Sequence, residues 1–219
     1  MNKEWSELNK TMQTQIRKND TYEAGIDTLF ELRNRLMKIL TVFYSELNRE
    51  EFNAIPFLNA DGYHSKTIAY SIWHIFRIED IVAHILINED EQVFCTGGGY
   101  QERINSPIIT TGNELEKQQI ADFSMQLNLK ELYSYIFEVK DSSEKIINSL
   151  SYDELKKKIS EERKEQLKLL NVVSNDENAI WLIDYWCGKD IRGLIQMPFS
   201  RHWIMHIEAS LRIRNKIHL

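Results

Sequence analysis

His202 and His206 stand four residues apart in the run Arg201-His202-Trp203-Ile204-Met205-His206. Residues at i and i+4 lie one above the other on a helix, so both imidazoles can reach one metal ion from the same side. His74 has a matching disposition. The positions four, seven and eleven residues beyond it are Ile78, Ile81 and Ile85, the apolar stripe that a bundle helix turns toward its core. The same count places His202 and His206 in line with Ala209, Ile213 and Ile217, so three imidazoles aim at one interior. Each could be satisfied separately by a hydroxyl or a backbone carbonyl, but a single cation would satisfy all three. Three neutral histidines leave the full dipositive charge on the metal and one to three positions open, as a catalytic site requires. Such an ion lowers the pKa of a water to about 7, or holds a thiol as its thiolate.

The other histidines read differently. His84 falls in line with Arg77, Asp80 and Asn88, a polar stripe that predicts a surface residue. His64 stands at the mouth of its helix, and His218 is penultimate, in a tail expected to fray. Candidates for supporting roles are Arg201 and Glu208, which flank the pair, and Glu79 and Asp80, which follow His74. A carboxylate receiving the free N–H of a ligating imidazole fixes its tautomer. All four are off the ligand stripe by helical count, so a surface ion pair is the competing expectation. Spacing assigns no general base.

The elements that must position these residues are helical. Three prolines and eight glycines in 219 residues, with a period near 3.6 through most segments, predict an all-α class, and 42% hydrophobic content suffices for one good-sized core. One domain over 1–219 is expected, with an N-terminal extension helix in 1–20 and a charged inserted helix in 151–170. In the extension, Trp5, Leu8, Met12 and Ile16 share a side that packs across the bundle or against a second subunit, which leaves a homodimer open. The first long helix is expected from Tyr22 to Leu47, with Leu29, Leu32, Leu36, Leu40, Phe43 and Leu47 inside. The second, carrying His74, runs from an N-cap at Ser65 to Asn88. A long Gly-rich connection over 95–112 is a candidate lid or binding loop; Gly97-Gly98-Gly99 lacks the Gly-Lys-Ser/Thr ending of a phosphate loop. Asn113 with Glu116 predicts a capped start for a short helix through Phe123, and Ser151 with Glu154 another that opens the charged helix. The third long helix spans Lys130 to Leu150, where Ser143 interrupts the core stripe as a small residue easing close packing or marking a polar pocket. A short apolar helix over Ala179–Cys187 then leads to the last helix.

Composition sets the remaining bounds. A net charge of −6 argues against nucleic acid, and the run Lys156-Lys157-Lys158 is balanced at once by Glu161, Glu162 and Glu165. No run approaches the ~20 apolar residues of a membrane span. Lys3 and Glu4 open the chain where a secretory signal would be apolar, so a cytoplasmic protein is expected. Two cysteines cannot make a disulfide framework. Cys187 is expected to be buried; Cys95 reads as an exposed bystander, having no evident cation to activate its thiol.

Trp73-His74 followed by Arg77-Ile78-Glu79-Asp80, with Met197-Pro198-Phe199-Ser200-Arg201-His202 leading into His206 and Glu208, resembles the DinB/YfiT-like metal-binding helical bundles. These are unrelated to the DNA polymerase that shares the DinB name. The resemblance runs from about Thr21 to Ile217. It implies an up-down-down-up four-helix bundle, here with additional short helices, whose divalent metal, often zinc or nickel, is held by His74, His202 and His206. The first eighteen residues or so and the stretch 151–168 look like additions to a minimal bundle. Relatives include thiol S-transferases that use low-molecular-weight thiols such as bacillithiol or mycothiol, and a thiol-dependent isomerase. The expectation is a metal-dependent enzyme of the thiol S-transferase or hydrolase type acting on a small molecule. The competing expectation is a non-catalytic bundle that binds a metal or small ligand, or that dimerises.

Overall fold

The computed structural model describes residues 2–60, 65–96 and 99–219, and among these it is all-helical, with one isolated antiparallel bridge between Lys158 and Asp190. The expectations for His64 and for Gly97-Gly98 lie outside the described residues.

Four long helices supply the framework. Helix α1, Lys3–Gln15, precedes the first of them, α2, Tyr22–Glu46, and the short α3 spans Arg49–Asn53. The α2 stripe Leu29, Leu32, Leu36, Leu40 and Phe43 is fully buried, as its period predicts. Trp5, Met12 and Ile16 pack α1 onto α2 of its own chain. That approach is close enough that a Cβ on Gly25 would lie 2.6 Å from Ile16 Cγ2.

The second long helix, α4, is Ile68–Asp80, and every one of its residues is buried. Its N-cap is Thr67, whose hydroxyl accepts the Tyr70 N–H at 3.0 Å, and not the expected Ser65, which lies two residues outside. Beyond Asp80 the chain continues as π-helical turns, Ile81–Asn88, ending where Glu89 takes a left-handed φ of 61°. A π turn holds more than 3.6 residues, so faces counted from α4 rotate after Asp80.

Two short helices follow, α5, Tyr100–Ile104, and α6, Gln118–Gln126. Asn113 does not cap the latter: Gly112 at φ 76° turns the chain, and α6 begins only after Lys117 at φ 44°. The third long helix, α7, is Leu129–Ser149, capped by Asn128. Ser151 and Glu154 do bond to each other reciprocally, yet they open only a 3-10 turn, Glu154–Lys156. The next residues are drawn out straight by Ile191 N–H donating to the Lys157 carbonyl, and the charged helix α8 is Glu161–Leu169, capped by Ser160. Helices α9, Trp181–Cys187, and α10, Ile191–Ile195, lead through a π turn at Met197–Arg201 into the last long helix, α11, His202–Ile217.

Helix α4 packs against both α7 and α11, and α2 against α11 and α7. Two apolar clusters result. One holds Trp73, Phe76, Tyr135 and Trp203, the other Ile78, Ile81, Trp186 and Phe199. The three histidines sit at their seam.

Candidate metal centre

His74 comes from the middle of α4, His202 and His206 from the first turns of α11, and all three are buried. One nitrogen from each lies within 4.8 Å of the others, and the ring centroids are 4.6–5.0 Å apart. Small side-chain rotations bring such a spread to the spacing that Zn–N bonds of about 2.0–2.1 Å require. The trio is thus positioned to hold a metal ion.

Local structure fixes His74 first. Its Nδ1 is 2.7 Å from the Thr111 carbonyl; a carbonyl can only accept, so Nδ1 carries the proton and Nε2 keeps its lone pair for a ligand. Tyr70, one turn earlier, stacks on the imidazole at 5.3 Å and 12° and donates its hydroxyl to the Gly112 carbonyl at 2.8 Å. The strap 111–112 therefore clasps the ring from two sides. Only glycine fits at 112, since a Cβ there would meet Trp73 Cζ3 at 2.7 Å. His202 Nδ1 is buried with no hydrogen-bond partner among the described residues, an expensive state that a cation would relieve.

Burial keeps all three rings neutral. It pulls His74 down to about 4, against the pull of the Thr111 bond and aided by the Lys66 charge. It also carries His202 and His206 well below the ordinary imidazole value, and the neighbouring rings add to this. Neutral imidazole is the form that binds metal.

Among the described residues, no hydrogen bond or ion pair joins Glu79, Asp80, Arg201 or Glu208 to these rings. The acceptor expected from Glu79 or Asp80 is the Thr111 carbonyl. Glu79 is wholly buried, takes a bidentate pair from Arg33 at 2.8 and 2.9 Å, and accepts from Ser143 Oγ at 2.6 Å and Trp203 Nε1 at 2.7 Å. Through Trp203 it anchors the residue next to His202. Ser143 is thus a hydrogen-bonding link, beyond the two uses its size suggested. Asp80 accepts from the Val93 and Phe94 N–H groups and from the Tyr135 hydroxyl, all at 2.9 Å, and lies 3.5 Å from Arg77. Glu208 accepts from the Asn2 backbone N–H, tying α1 to α11, and Arg201 is exposed beside Ser6, Asn9 and Gln13 of α1.

The expected surface position of His84 is overturned. It is buried, with Nδ1 2.6 Å from Asp90 and Nε2 3.0 Å from Ser142 Oγ, because its polar stripe is an internal network: Arg77 and Asp80 are buried too, and His84 Nε2 lies 3.8 Å from Asp80. The hydroxyl, imidazole and carboxylate are in line, but Ser142 lies inside α7, whose N–H groups are committed to the helix and offer no oxyanion-binding pair. His218 is not loose either: its Nε2 meets Glu51 at 2.7 Å. Cys95 is exposed with its thiol pKa raised by partial burial, which leaves it unactivated, and Cys187 is only half-buried.

The part of the connection over 99–112 is pinned down and does not hang as a free lid. Tyr100 and Ile104 are buried, and the Ile109 carbonyl accepts from Arg77 at 2.7 and 3.1 Å. It leaves the trio open on one side. A cavity of about 300 Å³ is lined by all three histidines with Ile78, Asn113, Met197 and Pro198, and by Trp181, Leu182, Tyr185 and Trp186 of α9. The α9 wall and the buried Arg33 were not found from sequence; a weak signal for the first was the aromatic density of 181–186. No described helix is long and apolar enough to cross a membrane. No protein-family model matches the chain, and comparison with curated proteins finds no match.

Proposed function

We propose that His74, His202 and His206 hold one divalent ion, zinc or nickel, in a DinB/YfiT-like up-down-down-up bundle. The protein is then a metal-dependent enzyme of the thiol S-transferase or hydrolase type acting on a small molecule. The observation that carries this reading is three buried, neutral imidazoles from two helices converging within 4.8 Å at the wall of a cavity. When bound, such an ion supplies Lewis acidity, bringing a water or thiol toward deprotonation near pH 7.

The chain's own residues do the rest. Thr111 and Tyr70 fix the tautomer and plane of His74, Glu79 holds the start of α11 through Trp203, and the α9 aromatics exclude water from one side. Among the described residues, the cavity lining includes no carboxylate, lysine or arginine. Ester or amide hydrolysis needs, besides a metal-bound hydroxide, a group that hands a proton to the leaving oxygen or nitrogen, whereas a thiol with pKa about 8.5 needs only modest acidification. Thiol transfer is therefore favoured over hydrolysis. An open cavity at the trio also speaks for catalysis over a sealed, purely structural ion.

The test is turnover by protein loaded with zinc or nickel, given a panel of low-molecular-weight thiols and 1-chloro-2,4-dinitrobenzene, with thioether formation followed by absorbance. Activity that His202→Ala removes supports the reading. A fully loaded protein inert toward every thiol, and toward ester and amide substrates, leaves the non-catalytic alternative.

A further inference from the structure

We propose that the ligand of this cavity is an anionic amphiphile, with a flat apolar body against the α9 aromatics and a single carboxylate-like head at Lys66. This deepens the reading above and rests on it for what happens to the ligand, though not for its binding.

The cavity beside the histidines has walls of Ile78, Leu182, Met197, Pro198, Trp186 and Trp181, with nothing charged among its described lining residues. Its volume of about 300 Å³ suits a body of one or two fused rings. Trp181 is half exposed and meets Tyr185 edge-on at 5.6 Å, which gives the opening an aromatic lip for stacking. An apolar body alone would leave the neighbouring chemistry unanswered.

A second, polar depression adjoins the first and shares Asn113 with it. Its charged lining residues are Lys66, Lys117 and Glu116. Lys66 is half-buried, and no carboxylate among the described residues lies within ion-pair distance of its Nζ. Its ammonium rests 5.1 Å above the ring of Tyr70, the same ring that stacks on His74, and its charge is felt at both His74 and His206. Glu116, whose charge is felt at Lys66, stands beyond ion-pair distance and accepts from Asn178, so the partly desolvated ammonium still favours an anion. Burial already weakens its hold on the proton, which an anionic partner would restore. At the junction, Asn113 Oδ1 is buried without a hydrogen-bond partner among the described residues, so its amide is available to a polar group crossing from one depression to the other. A cationic head would face Lys66 and is disfavoured; a neutral one brings no charge to pair with it.

Calorimetric titration of the full-length protein, as purified and after chelation, with 2-naphthoate, 2-naphthylmethanol and 2-naphthylmethylamine separates these cases. Naphthoate should bind about tenfold tighter than the alcohol, and the amine weakest. Lys66→Met should bring naphthoate to the level of the alcohol while leaving the alcohol unchanged, and Trp181→Ala should weaken all three. Circular dichroism melts confirm that the variants fold. Equal affinity for the three probes, no binding of any, or a naphthoate preference that survives Lys66→Met overturns the proposal. A preference that appears only in metal-loaded protein does so too, since the carboxylate would then be ligating the ion. A Lys66-dependent preference in protein that binds no metal keeps this inference and removes the metal-site reading.

Discussion

Replacing Glu79 by glutamine keeps the volume of the side chain and removes its charge, in a place where both partners of the ion pair have no exposed side-chain surface. Arg33 would then be a buried cation whose bidentate carboxylate is gone. What remains to it is Glu144 at 2.9 Å, itself one-fifth exposed, with Ser143 Oγ and the Phe199 carbonyl each at 3.1 Å. Breaking a buried pair by neutralising one side costs on the order of 3–5 kcal/mol. The surviving Glu144 contact places the expected loss at the lower end, about 3 kcal/mol, or roughly 10 °C in melting temperature for a chain of this size. The exposed pair Lys145–Asp141 is the control, with side chains 75% and 68% exposed. Lys145→Ala should change stability by less than about 0.5 kcal/mol. Urea unfolding followed by circular dichroism measures both. Arg33→Met combined with Glu79→Leu, which leaves neither of these two charges inside, should recover part of the loss. If Glu79→Gln is as silent as Lys145→Ala, the buried pair does not hold the start of α11 and the positioning argument for His202 falls with it.

Gly112→Ala forces a Cβ to 2.7 Å from Trp73 Cζ3 at a φ of 76°, so a loss of about 3 kcal/mol is expected, together with about tenfold weaker metal binding as the Thr111 carbonyl shifts from His74. A wild-type melt and unchanged metal affinity would refute the clasp described for this strap. The metal-free protein should also be acid-sensitive in a window set by the histidines. The unfolded chain takes up protons on these rings as pH falls through about 6.5, whereas folded His74 resists until about 4. Stability is therefore full above pH 6.5 and is lost on acidification, with His74 alone removing about 2 kcal/mol by pH 5. Unfolding midpoints that are flat between pH 7.5 and 5 would contradict the buried, neutral trio.

The convergence of His74, His202 and His206 was legible because His74 with Ile78, and His202 and His206 with Ala209 and Ile213, lie on α-helical stretches, and helical period is a property of short windows. The α2 stripe was read for the same reason. His84, Arg33 and Glu79 were not legible, since a polar residue on a helix reads as surface unless its partners are known, and those partners are distant in sequence: Glu144 and Ser143 for Arg33, Asp90 and Ser142 for His84. The π turns after Asp80 and before His202 leave no signature in composition, yet the second leads directly into the His202–His206 pair. The missed α6 and α8 boundaries have a shared cause. Local capping patterns at Asn113 and Ser151 were overruled by a left-handed glycine in one case and by a tertiary backbone bond from Ile191 in the other.

Metal per chain is the most direct test of the central claim. Protein purified without a metal-binding tag, then dialysed against zinc or nickel and analysed by elemental emission, should carry about one equivalent. A folded His74→Ala, His202→Ala, His206→Ala variant treated in parallel should carry none. Wild type without metal after exposure to both ions, or a variant that retains its equivalent, would contradict the assignment of these three imidazoles as a single ion's ligands.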